Sequence, residues 1–145
     1  MGITLEQILR DKGASVITIS ASATLQEAAV LLDEKRIGSV VATADDGTLI
    51  GVLSERDITR QFARGGADIL GMTVADVMTR QVITASPTET LDDGLARMND
   101  RRIRHLPVCV NEKLVGLVSI GDLVKWKIRE TEAESEAMKG YIATG

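Results

Sequence analysis

The sequence predicts a mixed α/β (α+β) fold in which one β-α-β-β-α unit occurs twice. Three observations lead to this prediction: an internal repeat at a shift of 66 residues, apolar runs of strand length, and amphipathic segments with helix-capping signals. The matching pairs are Val16–Ser20 with Val82–Ser86, Thr24-Leu25 with Thr90-Leu91 and, after one deleted residue in a turn, Leu49–Ser54 with Leu114–Ser119. We expect a pseudo-twofold unit in which each copy buries the apolar face that the other leaves open.

The first copy begins with a short β-rich run at Val16–Thr18. Thr24 is typical of a helix N-cap, and Glu27 three residues later predicts a capping box. Apolar residues then follow at helical spacing, and the basic pair at the end suits the negative end of the helix dipole. The remaining predicted elements are a helix to Lys35-Arg36, a strand at Ser39–Ala42, a turn at Asp45–Gly47, a strand at Leu49–Leu53 and a helix carrying Ile58 and Phe62.

The second copy repeats this order. Its predicted elements are a helix at Thr90–Arg101, strands at Leu106–Val110 and Leu114–Val118, and a helix from about Ser119 that continues through Glu136 with an acidic, solvated face. We expect Thr4–Arg10 to form a short helix packed on the first copy, with Thr73–Met78 as its counterpart before the second. One module therefore divides into residues 1–71 and residues 72–145.

Composition limits the function classes. The chain has 145 residues, 44% hydrophobic and 26% charged, with a net charge of −4. It lacks the run of ~20 apolar residues that spans a bilayer and the pattern of a signal peptide. The acidic balance argues against a nucleic-acid partner that needs a basic surface. The single cysteine, Cys109, fits a reducing compartment, so we expect a cytoplasmic protein.

A Gly-x-x-Ser-x-x-Asp motif occurs once in each copy, as Gly51–Asp57 and Gly116–Asp122. In both, a strand delivers a hydroxyl to the first turn of a helix, and a carboxylate follows three residues later. The helix N-terminus suits an anion, and the carboxylate suits a ribose diol. The alternative is that each Ser and Asp only cap their helix. The recurrence of the motif in register favours a paired ligand site, although two equal caps remain possible.

The segment Arg101–Val108 brings basic residues into a strand. Its arginines suit bidentate contacts with phosphate, although cations at a helix C-terminus are an equal explanation. His105 is the only histidine, and no ligand spacing around it is typical of zinc, so we expect no metal site. Cys109 is typical of a small buried hydrophobe rather than of a reactive thiol. No pattern of a P-loop, a Rossmann site or a catalytic triad is found, so we expect no catalytic residues.

The two motifs, the Arg-His-Leu-Pro-Val strand and the Val-Ala-Asp-Val-Met-Thr segment before the second copy resemble a tandem pair of cystathionine β-synthase (CBS) domains, also called a Bateman module. The resemblance covers about Val16–Ile128. It implies a regulatory module with two clefts between the repeats. Such clefts take AMP, ADP, ATP, S-adenosylmethionine or, in some members, NAD(H), and no cofactor is required.

The resemblance also implies roles for individual residues. Asp57 and Asp122 would bind ribose hydroxyls, and Ser54 and Ser119 would contact ribose or phosphate. Adenine would lie against two segments, Ile37–Val40 and Ile103–Leu106. The complete implied set is Thr18, Ile37, Gly38, Ser39, Val40, Ser54, Arg56 and Asp57 in the first copy, and Thr84, Ile103, Arg104, His105, Leu106, Ser119 and Asp122 in the second, with Arg56, Arg104 and His105 on phosphate.

Two departures between the copies predict unequal sites. The first copy has Gly38-Ser39 where the second has Arg104-His105, and the second has Ile120-Gly121 where the first has Glu55-Arg56. Pairs of this kind usually form homodimers, so we expect a homodimer and a regulated protein partner that the sequence does not name. Plausible contributors to the dimer are Ile58, Phe62, Leu123, Val124 and Trp126, although core packing explains them almost as well. The alternative function is a structural docking module with empty clefts, and a nucleotide hydrolase ranks last.

Overall fold

The computed structural model describes residues 2–13 and 15–144, with side chains to residue 140. Met1 and Gly145, the outer bounds of the predicted halves, lie outside the described residues. The helices and strands are α1 (Leu5–Lys12), β1 (Thr18–Ser20), α2 (Leu25–Lys35), β2 (Ser39–Thr43), β3 (Leu49–Ser54), α3 (Glu55–Gly65), α4 (Val74–Val77), α5 (Leu91–Arg101), β4 (His105–Val110), β5 (Lys113–Ser119) and α6 (Ile120–Thr144), with a 3₁₀ helix at Gly66–Gly71. A mixed fold of two matching copies is confirmed.

The chain forms two compact units. The first-repeat unit contains Ser15–Ile83 and Cys109–Leu114. The second-repeat unit contains Met1–Ala14, Thr84–Val108 and Val115–Gly145. Each unit therefore combines segments that are distant in the sequence. The division into residues 1–71 and 72–145 stays a prediction about segments of the sequence. None of the helices in the described residues is long and apolar enough to cross a membrane.

In the first-repeat unit, three strands in the order β1-β2-β3 form the sheet. β1 runs parallel to β2, and β3 returns antiparallel to it. Alternate apolar residues of these strands and one face of α2 meet in a core that excludes water. The buried members of this core are Leu25, Ala28, Leu32, Val40, Ala42, Leu53, Ile69, Val74 and Met78.

The short helices pack on the opposite repeat from the one we expected. In the second-repeat unit, the Leu5 N–H donates to Glu89 O (2.9 Å), and the Leu91 N–H donates to Ile3 O (2.7 Å). The prediction that the amino-terminal helix packs on the first copy is therefore wrong. Backbone pairing decides the position, because the extended residues before α1 have N–H and C=O groups that need partners.

The same arrangement recurs at α4. The Val74 N–H donates to Ala23 O (2.8 Å), and the Leu25 N–H donates to Met72 O (2.9 Å), both within the first-repeat unit. The helix that we placed before the second copy therefore completes the first. Periodicity alone could not assign these helices, because both have an apolar face that fits either core.

A glycine on each returning strand admits the side chain of the short helix. A Cβ on Gly51 would lie 2.7 Å from Met78 Cγ and 3.0 Å from the backbone oxygen of Thr79. A Cβ on Gly116 would lie 2.6 Å from both Cδ atoms of Leu9. Both glycines are needed for close approach of a second element, which is why the Gly of the repeated motif occurs at matching positions.

The first strand differs between the copies. β1 forms three residue pairs with β2, but its counterpart in the second copy forms only a single bridge, between Ala85 and Val108. Pro107 explains the loss. Its carbonyl accepts from the Ala85 N–H (3.0 Å), so its missing N–H lies on the same edge and cannot extend the ladder.

The predicted caps are mostly confirmed. Thr24 accepts a hydrogen bond from the Glu27 N–H (3.1 Å). The predicted return bond from the Glu27 side chain does not occur among the described residues, because this exposed carboxylate stays in solvent. Thr90 and Asp93 close both halves of a capping box at the start of α5. The long acidic helix α6 agrees with the predicted continuation beyond Ser119.

Candidate functional site

The first half-site is built where β3 ends and α3 begins. The Ser54 N–H donates to Asp57 Oδ2 (2.9 Å), and Ser54 Oγ accepts from the Asp57 N–H (3.1 Å). Ser39 lies directly opposite Ser54 on the neighbouring strand. The Glu55 N–H donates to Gly38 O (2.9 Å), which holds the start of β2 against the helix N-terminus. Four of the predicted residues are therefore brought together within one unit.

The second half-site repeats this geometry on β5 and α6. The Ser119 N–H donates to Asp122 Oδ2 (2.8 Å), and Ser119 Oγ accepts from the Asp122 N–H (3.1 Å). The Ile120 N–H donates to Arg104 O (2.7 Å). In both half-sites two of the first three N–H groups of the helix are thus already occupied. Each helix N-terminus consequently offers an anion fewer free N–H groups than the motif predicts.

Both motifs are capping boxes, as the alternative interpretation predicted. Equivalent boxes also occur at Thr73 with Asp76 and at Thr90 with Asp93, outside the candidate residues. The cap therefore does not by itself indicate a ligand. Burial separates the two kinds of box, since Asp57 is half-buried whereas Asp76 and Asp93 are exposed. A partly desolvated carboxylate interacts more strongly with a hydroxyl donor than one in open water.

Lys12 is a functional candidate that sequence reasoning missed. Its Nζ lies 2.5 Å from Asp122 Oδ2 and also donates to Leu117 O (2.9 Å). Partial burial alone would raise the pKa of Asp122, but hydrogen bonds from Lys12 and from the Ser119 N–H lower it below its ordinary value. The carboxylate is therefore held ionised. No local pattern in the sequence links Lys12 to Asp122, because the two residues are 110 positions apart.

The basic residues of the second half-site are solvent-accessible. Arg104 and His105 are both exposed, and Arg104 has no ion-pair partner among the residues that the structure describes. Partial desolvation and then the positive charge of Lys12 lower the pKa of His105, with Arg104 adding to the effect and Asp122 opposing it. The charges of Lys12, Arg104 and Asp122 all act on His105 and form one local cluster, in which two cations outnumber one carboxylate. Such a cluster favours an anionic ligand.

The first half-site has fewer basic groups. Arg56 is exposed and, within the described ranges, has no ion-pair partner. Gly38 and Ser39 stand where the second half-site has its arginine and histidine. The two half-sites therefore differ in the charges beside their motifs, and unequal ligand binding stays a prediction.

Some predicted adenine contacts belong to the core. Val40 is 2% exposed and Leu106 is 0% exposed, so both residues lie in the core with almost no accessible surface. Ile37 and Ile103 are half-buried and retain accessible side-chain surface. The sequence pattern could not distinguish these roles, because alternate strand residues share the same apolar character.

The two threonines of the predicted set lie further from the motifs. Thr18 is exposed on β1, and β2 separates that strand from Ser54. Thr84 is half-buried, and its carbonyl accepts from Arg97 Nη1 (2.9 Å). Arg97 also forms an ion pair with Glu89, and this bond lowers the pKa of Glu89. Arg97 thus fixes the backbone of Thr84, a contact that the spacing of residues in the sequence does not predict.

A cavity of about 420 Å³ adjoins the first half-site without including its Ser54–Asp57 pair. Ile37 and Gly38 line it, but neither Ser54 nor Asp57 does. The other lining residues are Ala29, Leu32, Asp33, Arg36, Glu55, Ile58 and Thr59. The cavity therefore lies on the α2 and α3 side, and it is not the ribose position that the motif predicts.

Metal and thiol chemistry have little support in the described residues. No group of three or more His, Cys, Asp or Glu side chains among them could hold a metal ion. Cys109 is half-buried rather than fully buried, and desolvation raises the pKa of its thiol. A raised pKa disfavours the reactive thiolate, in agreement with the unreactive role that the sequence predicts.

The comparisons with known proteins agree on one family. The family model described as the CBS domain matches this chain twice, over residues 5–64 and 74–129. The CBS domain-containing protein YhcV of Bacillus subtilis (strain 168) is 36% identical over 109 residues, which cover 74% of this chain and 76% of YhcV.

Solved structures give the same result. The CBS-domain containing protein ATU1752 from Agrobacterium tumefaciens has 36% sequence identity and a TM-score of 0.76, covering 86% of this chain and 98% of its own. CBSX2, solved in complex with AMP, has a TM-score of 0.75 over 90% of this chain and 99% of its own. At 24% identity, CBSX2 shows a shared fold.

Proposed function

Because this chain belongs to the CBS-domain family, we propose that its two half-sites bind an adenine nucleotide as a regulatory ligand. The observation that carries the proposal is the duplicated, partly buried Ser–Asp pair at Ser54 and Asp57 and at Ser119 and Asp122. In each pair the cap uses Oδ2 of the aspartate. Oδ1 has no hydrogen-bond donor in the part of the chain that the structure describes, so it is available to a ribose hydroxyl.

The charges favour a ligand that carries phosphate. In the second half-site Arg104 and His105 are exposed beside the motif and can contact a phosphate. In the first half-site Arg56 is exposed and can make the same contact. Guanidinium groups bind phosphate through paired hydrogen bonds, and a positive cluster raises the local concentration of anions. AMP, ADP and ATP fit this chemistry best, and NAD(H) and S-adenosylmethionine share the adenosyl group. The AMP complex of CBSX2 supports AMP as the first compound to test.

Thermal unfolding of the nucleotide-free protein tests the proposal. A ligand at ~100 times its Kd stabilises the folded state by about 2.7 kcal/mol. For a chain of this size that raises the Tm by roughly 5–11 °C. We expect one adenine compound to give such a shift, and Asp57→Asn or Asp122→Asn to remove at least half of it.

Matched controls come from the capping boxes outside the half-sites. Asp76→Asn and Asp93→Asn break the same kind of cap, in the first-repeat and second-repeat unit respectively. They should lower the Tm of the free protein and leave the ligand-induced shift intact. If no adenine compound shifts the Tm and none co-purifies with the protein, the docking function replaces the sensor.

The docking alternative is supported by exposed apolar side chains on the helices. Phe62 on α3 is 59% exposed and Ile128 on α6 is 54% exposed, with Val30 and Val124 also exposed. Of the predicted dimer contacts, Leu123 instead belongs to the core, where it packs 3.1 Å from the Cβ position of Gly94. We propose a homodimer that covers the exposed residues, and light scattering at micromolar concentration measures its mass.

We also infer that the module performs no reaction of its own and acts on a separate regulated protein in the cytoplasm. The raised pKa of the Cys109 thiol supports the first inference, since it lowers the fraction of the nucleophilic thiolate. Incubation with ATP, followed by chromatography of the products, tests it.

A further inference from the structure

Lys12 binds the carboxylate that the proposed function assigns to ribose. Its Nζ donates to Asp122 Oδ2 at 2.5 Å and to Leu117 O at 2.9 Å. Its side chain is 36% exposed and that of Asp122 is 26% exposed. Part of this ion pair is thus shielded from water, while a ligand can still reach both partners.

The two ribose carboxylates consequently differ in free acceptor capacity. Asp57 Oδ2 receives one described hydrogen bond, from the Ser54 N–H. Asp122 Oδ2 receives two, from the Ser119 N–H and from Lys12. A carboxylate oxygen has two lone pairs, so Asp122 Oδ2 is saturated. A ribose diol that binds both oxygens must therefore displace the ammonium of Lys12, whereas at Asp57 it displaces nothing.

The displaced ammonium would remain among positive charges. Lys12 and Arg104 both act on His105 in the same direction, and Asp122 is the opposing negative charge. The neighbouring carboxylate of Asp11 is already paired with Arg129 (3.8 Å). Separating Lys12 from Asp122 therefore leaves a partly desolvated cation without a counter-ion, which is costly. A ligand that also carries phosphate removes this cost, because it supplies a new counter-ion.

From this geometry we propose that Lys12 makes the second half-site selective for phosphorylated adenosine over adenosine itself. The inference rests on the proposed nucleotide function and adds the residue that sets its selectivity. A neutral nucleoside that binds both carboxylate oxygens breaks the ion pair without replacing it, while AMP exchanges one anionic partner for another.

Among the described residues of the first half-site, no lysine pairs with the motif aspartate. At the matching position on β3, Val52 O accepts from the backbone N–H of Thr79 (2.9 Å), where Leu117 O accepts from Lys12. A backbone N–H carries no net charge and cannot turn toward a phosphate. Selectivity of this origin is therefore confined to the second half-site.

Titration calorimetry with AMP and with adenosine tests the proposal. The parent protein carries Asp57→Asn, which confines ribose binding to the second half-site. We expect Lys12→Met in this parent to lower the ratio of AMP affinity to adenosine affinity at least tenfold, with AMP bound more weakly and adenosine bound equally or more tightly. Lys127→Met is the matched control, since Lys127 is also an ion-paired lysine of the second-repeat unit, with Asp92 at 2.9 Å. It should leave the ratio unchanged.

Several results would overturn the proposal. An equal loss of affinity for AMP and adenosine in Lys12→Met indicates a purely structural role for Lys12. A ratio within twofold of the Lys127→Met value excludes selectivity by Lys12. Lys12→Arg retains the charge and should keep the ratio of AMP affinity to adenosine affinity. Lys12→Gln is a second uncharged variant, which should repeat the fall in this ratio if Lys12→Met is unstable.

If the parent binds neither compound while the wild type binds AMP, the selectivity proposal fails and the nucleotide proposal stands. If the wild type binds neither, both fail.

Discussion

The two repeats share a backbone plan but stabilise it with different chemistry. In the first, Ala23 and Leu31 pack against the apolar core. At the matching positions the second has Glu89 and Arg97, which form an ion pair. The difference teaches that apolar packing in one copy and an ion pair in the other can stabilise the same two positions of this fold.

Polar anchoring in the second repeat extends to its half-site. Arg97 fixes the Thr84 carbonyl, and Lys12 holds Asp122, whereas the first repeat uses a backbone N–H from Thr79 at the position of Lys12. The two copies therefore keep the same caps and diverge in charge around the motif. The following predictions test how far the stability of each copy depends on these contacts.

The largest effect should come from the glycines where both repeats agree. Gly51→Ala places a Cβ against Met78 and 3.0 Å from the backbone oxygen of Thr79, which cannot move aside easily. Gly116→Ala meets only the side chain of Leu9. We expect Gly51→Ala to cost roughly 2–3 kcal/mol and Gly116→Ala roughly 1–2 kcal/mol in urea unfolding, as is typical of overpacking.

Gly71→Ala is the control for this pair, because a Cβ there has no atom within 4 Å. It should change the free energy of unfolding by less than about 0.5 kcal/mol, as surface substitutions usually do. Equal costs at positions 51 and 116 would mean that the Thr79 backbone yields as readily as a leucine side chain.

A smaller effect is expected from Arg97→Met. The variant removes the ion pair with Glu89 and the bond to the Thr84 carbonyl. Since Arg97 is 32% exposed and Glu89 24%, solvent screening limits the loss to about 1 kcal/mol in the free energy of unfolding.

The double variant Glu89→Ala with Arg97→Leu installs the apolar residues of the first repeat. It should recover most of the loss, because no unpaired charge remains. A double variant less stable than Arg97→Met would show that the two repeats cannot exchange their anchors.

The smallest effect should be a change in pH dependence at His105, where the first repeat has Ser39. Desolvation, Lys12 and Arg104 lower the pKa of His105 below its ordinary value of 6.5, and Asp122 opposes them. The unfolded chain therefore binds this proton at a higher pH than the folded chain. The contribution of His105 to stability is complete above about pH 6.5 and declines as the pH falls below it. His105→Ser should remove this decline from a series of unfolding curves, and an unchanged slope between pH 7 and pH 5 would contradict the assignment.

Most of the fold could be predicted from the sequence because its signals are local. Short continuous apolar runs define β2 and β3, and Thr90 with Asp93 marks the start of α5. The packing of α1 could not be predicted in the same way, because backbone bonds to Glu89 and Leu91 decide it. Such pairing over a long sequence separation leaves no periodic signal.

The site shows the same limit. The motif residues Ser54 and Asp57 were recognisable because their spacing of three is a local property of a helix start. Lys12 was not, because its partner Asp122 is 110 residues away. Val40 and Leu106 belong to the segments that the resemblance places against adenine, but their burial in the core leaves them almost no accessible surface.

The crossed placement of the short helices has a consequence for synthesis on the ribosome. α1 is synthesised long before its partners Glu89, Leu91 and Gly116, and its ion-pair partner Asp122 comes later still. The first repeat, in contrast, gains its short helix α4 directly after α3. A nascent chain should therefore form most of the first repeat, all but its Cys109–Leu114 segment, while α1 still lacks its partners. Ribosome-bound chains that expose residues up to about 85 outside the exit tunnel should resist protease within Ser15–Ile83 more strongly than within α1.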